Sequence, residues 1–356
     1  MSSRLRDVAR SSFARHETFA PRIGWLHKAY LCAQEDEEVF LREEAPVTLG
    51  VGKNMVSAMR YWMAAFKLTV EVPRGGTSRA YIAVPTWEAR WLFGDGGADA
   101  WLERNESLWL LHWWLLSPTC SAPVWWVAFH AMPTARFTQT ELADLVERQV
   151  SLAGWEATVR ASVEKDADCL TKMYGQRKAT ANSPGSFEDM LGSPFRDLGL
   201  LESVAANRGE ETTWRFTSSA RTSLPASLMA YASLDYAART TRKPGSVSVA
   251  RLANEPGGPG RAFRVREPEL THALEAVCER FPDLTLMEAV GQRTLVFNRD
   301  PHDLAWDVLD AHYGNIRERA GFPTREEWIR DHPGLDASNP RTSVDGTAES
   351  VLEMAP

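Results

Sequence analysis

VTLGVGKNMVSAMRYWMAAFKL, residues 47–68, runs into LTVEV (68–72), PRGGTSR (73–79) and AYIAVP (80–85). Gly50 and Gly52 break the chain. Met55, Met59, Trp62, Ala65 and Phe66 then recur at i, i+4, i+7, i+10 and i+11, one apolar stripe of a helix. LTVEV alternates as a strand, and a glycine-tipped turn leads to a second strand. Helix, turn, helix and hairpin is the order of a winged helix.

That reading supplies candidate contacts for a polyanion. Lys53, Ser57, Arg60 and Ala64 fall on the helix face opposite the stripe. The start Gly52-Lys53-Asn54 offers free amides, a positive charge and an amide side chain able to bond a base edge or phosphate. A plain solvated face has the same look. The turn carries Arg74 and Arg79 around Gly75 and Gly76, so backbone and charge can both approach a phosphate or minor groove. GVGK is not a phosphate-binding loop, because GxxxxGK[ST] is absent and Asn54 stands where Ser or Thr is needed.

Outward from there the order recurs. FTQTELADLVERQV (137–150) opens with the capping-box pair Thr138 and Glu141. A helix is expected over 155–174, then strands at the end of 186–204 and at 212–217, with AANRGEE (205–211) as a second wing. Helices over 223–239, 268–280 and 302–313 and a strand pair within 284–297 follow. The expected fold is α+β, mainly α: tandem winged-helix units with a C-terminal helix and strand region. The expected domains are 1–105 with a basic arm, 106–220 with a Trp-rich core, 221–330, and an acidic, loose tail at 331–356.

Residues 107–135 hold no Asp, Glu, Lys or Arg, and eight of the 14 tryptophans lie between Trp87 and Trp126. Pro118 and Pro123 cut the stretch into pieces too short to span a bilayer, which needs about 20 apolar residues. A buried helix followed by a buried strand is expected. No membrane partner and a cytoplasmic location follow. Four dispersed cysteines without paired spacing read as free thiols, and the Arg-rich start has no apolar signal core.

The net charge of −7 over 356 residues hides a polarity. Residues 1–80 carry +3, 81–175 carry −5, 176–266 carry +5 and 267–356 carry −10. Two basic blocks suit a polyanion such as double-stranded DNA.

Catalytic candidates are sparse. Arg15-His16-Glu17, followed by Arg22, offers a His–Glu pair for acid–base or metal chemistry beside a basic arm of Arg4, Arg6, Arg10 and Arg15. Asp95, Asp99, Glu103 and Glu106 can hold Mg²⁺, but a turn and helix start explain them more simply. No GxSxG, Cys–His or dinucleotide fingerprint appears.

HETF (His16–Phe19), GWL (Gly24–Leu26), LGVGKNMV (Leu49–Val56) and Asp99–Glu103 with LWLLHW (Leu108–Trp113) resemble a bacterial domain family encoded beside PAPS-reductase-related sulfurtransferase-like proteins. It includes the SspB-like components that nick DNA in single-stranded (Ssp) phosphorothioation. The resemblance runs from about residue 14 to about residue 313. It implies DNA binding and nicking while partner proteins supply sulfur and ATP chemistry. It carries over no cutting side chain.

On this reading Lys53, Asn54, Ser57 and Arg60 enter the major groove, and Arg74 and Arg79 hold the flanking backbone. Arg15, His16, Glu17 and Arg22 lie near the scissile phosphate. Cleavage calls for a divalent metal, Mg²⁺ or Mn²⁺, whose ligands the sequence does not identify, or for His16 as acid or base. A homodimer accords with many winged-helix proteins, although no heptad run marks a dimer helix. Two rivals stand: a non-catalytic DNA-binding adaptor, and a scaffold docking partners through the Trp-rich and acidic segments.

Overall fold

A computed structural model describes residues 5–176, 192–204, 210–217 and 221–336. The fold is α+β, about half helical, with three small sheets among the described residues. After α1 (Leu5–Val8) and α2 (Trp25–Glu35), the decisive stretch forms α3 (Ala45–Leu49), α4 (Lys53–Ala65), β1 (Thr69–Pro73) and β2 (Tyr81–Pro85). Gly50 ends α3 at φ 61°, a left-handed cap that a side chain would strain. Met59, Trp62 and Phe66 are buried, while Lys53 and Ser57 are exposed, as the stripe requires. β1 and β2 pair antiparallel from Thr69↔Pro85 to Pro73↔Tyr81.

The tryptophan segment forms α5 (Trp87–Phe93) and α6 (Asn105–Leu116). From Ser107 to Leu116 every α6 residue is buried, which makes this the central helix. The buried strand expected next is instead α7 (Pro123–Trp126), continued by a π-helical turn at Val127–Ala131. A short apolar run buried on all sides has no period to separate strand from helix. Pro123 at a first helical position tips it to helix. Two of the buried indoles reach distant partners: Trp109 donates to Ser223 Oγ at 3.1 Å, and Trp114 to the Tyr231 hydroxyl at 2.9 Å.

The middle of the chain also carries two helices followed by strands, but those strands join a four-stranded sheet with one parallel pair rather than a two-stranded hairpin. β3 (Arg136–Phe137) leads to α8 (Gln139–Ala153), opened by the Thr138/Glu141 capping box. α9 (Arg160–Tyr174) starts five residues later than residue 155, at Arg160, whose guanidinium binds Asp144, Glu147 and Glu164. β4 (Gly175–Gln176), β5 (Leu201–Ser203) and β6 (Trp214–Phe216) complete a sheet of order β3-β6-β5-β4. Most of the expected second wing, 205–209, lies outside the described residues, as do 186–191.

The C-terminal region holds α10 (Ala226–Ala238), β7 (Gly245–Ser248), α11 (Val249–Asn254), α12 (Pro259–Phe263), α13 (Glu267–Cys278), β8 (Leu284–Ala289), β9 (Gln292–Phe297) and α14 (Pro301–His312). It is sewn to the N-terminal third. Trp87 packs edge-on against Trp306 at 4.6 Å, Trp91 donates to Asp310 at 3.0 Å, and buried Arg325 donates to Glu88 at 2.7 Å. One apolar cluster runs from Leu5 to Trp328. The start of the expected tail is anchored, because Arg325 also holds Asp336 at 2.6 Å; residues 337–356 lie outside the described residues. Among the described residues no helix is long and apolar enough to cross a membrane.

Candidate nucleic-acid interface

The basic arm is docked. Leu5, Val8 and Ala9 are buried, and Ala9 bridges Cys120 in parallel: Cys120 N–H donates to Val8 O at 2.8 Å and Arg10 N–H to Cys120 O at 3.0 Å. Arg4 lies outside the described residues. The arm then turns at Ala14 (φ 53°), Glu17 (φ 50°) and Thr18 (φ 66°), left-handed positions that cost non-glycine residues about 1–3 kcal/mol each.

His16 holds that turn. It is 1% exposed, not at the surface as acid–base work on a bound strand would require. Its Nδ1 accepts from Thr18 N–H at 3.1 Å, so Nε2 carries the proton and donates to Asp166 Oδ1 at 2.7 Å. Asp166 also accepts from Ala14 N–H at 2.9 Å. The imidazole stacks on Trp62 at 6.0 Å and meets Trp125 edge-on at 5.7 Å. Burial pushes the Asp166 carboxyl up, against the opposing pull of His16. His16 orients its neighbours: Arg15 and Glu17, on either side, are exposed.

Those two face a cleft of about 770 Å³ between the arm, the outer face of α4, the β1–β2 hairpin and the loop through Thr119 and Ser121. Arg10, Arg15, Arg60 and Arg79 line it with Glu17 and Glu71. Arg60 is held by Glu71 at 2.8 Å and by the Tyr81 carbonyl at 2.7 Å. Arg15, Arg79 and Glu17 make no hydrogen bond or ion pair with the described residues. Thr69, 3% exposed, places an Oγ1 without a hydrogen-bond partner at the cleft wall. Lys67 closes the inner end: its Nζ donates to the Trp114 and Ser117 carbonyls, and burial lowers its pKa to about 8. Burial, with the negative Asp166 nearby, holds the Tyr61 hydroxyl well above its usual range.

The sequence candidates divide. Arg15, Glu17, Ser57, Arg60 and Arg79 meet in the cleft. Lys53 and Asn54 are exposed at the start of α4 but outside its lining. Arg22 lies over Phe19 at 5.8 Å and Trp25 at 5.5 Å. Arg74 is occupied by Glu38, with bonds of 2.7 and 2.9 Å. The Asp95–Glu106 segment does what a helix start does: Asp99 accepts from Glu103 N–H and Arg104 N–H at 3.0 Å and from Ser107 Oγ at 2.6 Å. Sequence reasoning missed Thr69, Lys67 and Asp166. Lys67 and Thr69 sit in an unremarkable helix-to-strand joint, and Asp166 lies 150 residues from His16. Among the described residues no group of three or more His, Cys, Asp or Glu side chains is placed to hold a metal ion.

Residues 13–313 match the family described as a protein of unknown function (DUF4007). A crystal structure of magnesium ion-bound SspB is 56% identical, with TM-score 0.88, and the match covers 96% of this chain and 99% of that one. A second SspB crystal structure is 55% identical, with the same TM-score of 0.88 and the same coverage of 96% and 99%. No curated protein matches. This chain belongs to the DUF4007 family and, within it, to the SspB-like proteins.

Proposed function

We propose that this protein binds double-stranded DNA in the cytoplasm and nicks it as the SspB-like component of an Ssp phosphorothioation system. A sulfurtransferase-like partner and an ATPase act with it there. The observation that carries the reading is the convergence on one cleft of Arg15 and Arg79, uncommitted, with Arg10, Arg60 and Glu17. Cations without internal partners are available to release counterions from a phosphate backbone. α2–α4 with the β1–β2 hairpin serve as a winged helix, β3–β6 with α8 and α9 as a second, and Lys53 and Asn54 extend the DNA footprint beyond the cleft. A homodimer belongs to the same reading, and light scattering of the purified chain tests it.

The magnesium of the SspB relative gives the metal expectation its substance. Mg²⁺ is commonly held by one or two carboxylates together with substrate phosphates and water. Glu17, without a partner among the described residues and flanked by Arg15, fits that limited role. The ion, when bound, would neutralise charge on the phosphate under attack. Arg15 and Arg79 orient the strand, and His16 with Asp166 fixes the turn that presents Glu17.

Supercoiled-plasmid relaxation with Mg²⁺ tests this. Wild type converts plasmid to open circles; Glu17→Gln does not, while still binding duplex. Unchanged relaxation by Glu17→Gln together with Arg15→Ala/Arg79→Ala would sink the site assignment. The burial of His16 favours one rival, a DNA-binding adaptor without catalysis. That reading predicts salt-sensitive duplex binding and no relaxation under any metal.

A further inference from the structure

The cleft continues inward past the arginines at its mouth to Phe13, Phe40, Val56, Tyr61 and Thr69. Its exposure runs in a gradient. Arg15, Glu17 and Arg79 at the mouth are exposed; Phe13, Phe40 and Tyr61 are half-buried; Val56 and Thr69 are buried. A duplex backbone is convex and read from outside by charge alone, which the mouth suffices to do. The interior adds aromatic side chains and the buried Thr69 hydroxyl, which has no partner among the described residues. A buried hydroxyl left unpaired is destabilising, and a ligand bond at that atom would relieve it. The volume of about 770 Å³ falls within the usual range for pockets that enclose a small organic group.

We infer that the cleft takes one unstacked nucleotide of the bound strand: its phosphate at Arg15 and Arg79, its base against the ring-lined interior, and a polar base edge at Thr69 Oγ1. This rests on the DNA-binding reading above. Nucleobases have two apolar faces and a hydrogen-bonding edge, and proteins that extrude a base receive it between aromatic side chains with polar contacts to that edge. Extrusion costs least where the base is already unpaired.

The test compares a short fully paired duplex with the same duplex carrying one unpaired nucleotide, by fluorescence anisotropy at low salt. Wild type binds the unpaired form roughly tenfold more tightly. Thr69→Val, which keeps the shape and removes only the unpartnered hydroxyl, brings that ratio toward one, as does Phe13→Ala. Arg15→Ala/Arg79→Ala weakens both forms. Circular dichroism and melting confirm that each variant folds. Equal affinity of wild type for the two duplexes overturns the inference while leaving DNA binding intact. So does a preference that survives both Thr69→Val and Phe13→Ala. Absence of salt-sensitive binding to either duplex overturns the DNA-binding reading and this one with it.

Discussion

Arg15 and Arg79 stand at the mouth of the cleft without a partner among the described residues, whereas every described arginine from Arg215 to Arg266 is engaged. Arg239 binds Asp235 at 3.2 Å and lies over Trp113 at 5.0 Å; Arg242 and Arg251 hold Asp300 and Glu255. Arg261 donates to the His130 carbonyl and Arg264 to the Ala128 carbonyl, at 2.6 and 2.7 Å. Arg221 donates to the Phe263 carbonyl at 3.1 Å. By count the later block is the more basic, +5 against +3. By structure it staples the π-helical turn and α12 to the core, and the earlier block supplies the free cations. A guanidinium has five donors and can serve as a structural cross-link as readily as a phosphate contact, so charge density alone does not separate the two uses.

The sharpest way to break that contrast is Arg264→Ala. Arg264 lies 3.6 Å from the Phe216 ring centre, and burial lowers its pKa to about 9. Its removal leaves a void and an unpaired carbonyl, and is expected to lower unfolding free energy by about 3 kcal/mol or more in urea titration. A neutral result would return this arginine to the surface pool. Acid stability carries the next largest effect. His112, 0% exposed, donates Nε2–H to the Ala262 carbonyl at 2.9 Å and bonds the Tyr174 hydroxyl at 2.7 Å. Burial lowers its pKa from 6.5 to about 4. The unfolded imidazole therefore gains its proton first as pH falls. Its contribution is complete above pH 6.5 and is lost toward pH 4, up to about 3 kcal/mol. His112→Gln should flatten that limb of the urea-midpoint profile.

The cleft cations should behave oppositely. Arg15→Ala/Arg79→Ala is expected to leave melting unchanged and to make the log–log salt slope of duplex binding shallower by about 2, one unit for each phosphate no longer neutralised. The smallest effect belongs to Arg74→Ala. Its pair with Glu38 is surface-exposed, so stability should fall by under about 1 kcal/mol and DNA affinity should barely move. A large loss of affinity would show that the wing releases Arg74 from Glu38 when DNA arrives.

Local order was legible in the sequence: the stripe through Met59 and Trp62, the Thr138 capping box and the hairpin around Gly75 and Gly76 all form where periodicity and turn chemistry put them. What distance decides was not. Nothing in ARHETF announces that its histidine is buried against Asp166, and nothing near Leu68 announces that Thr69 is an unpaired hydroxyl in a cleft wall. The run after Pro123 became helix because burial on all sides erased the period that would have marked it.

The arm has a consequence for the order in which the molecule is made. Val8, Ala9 and Arg10 lie against Cys120, the arm's turn is pinned by Asp166, and Trp87, just past the hairpin, is covered by Trp306 and the Pro323 carbonyl. A ribosome releases the arm before any of those partners, at about 5–20 residues per second. The nascent chain therefore cannot pin the turn at the cleft until Asp166 has emerged, nor cover Trp87 until Pro323 has.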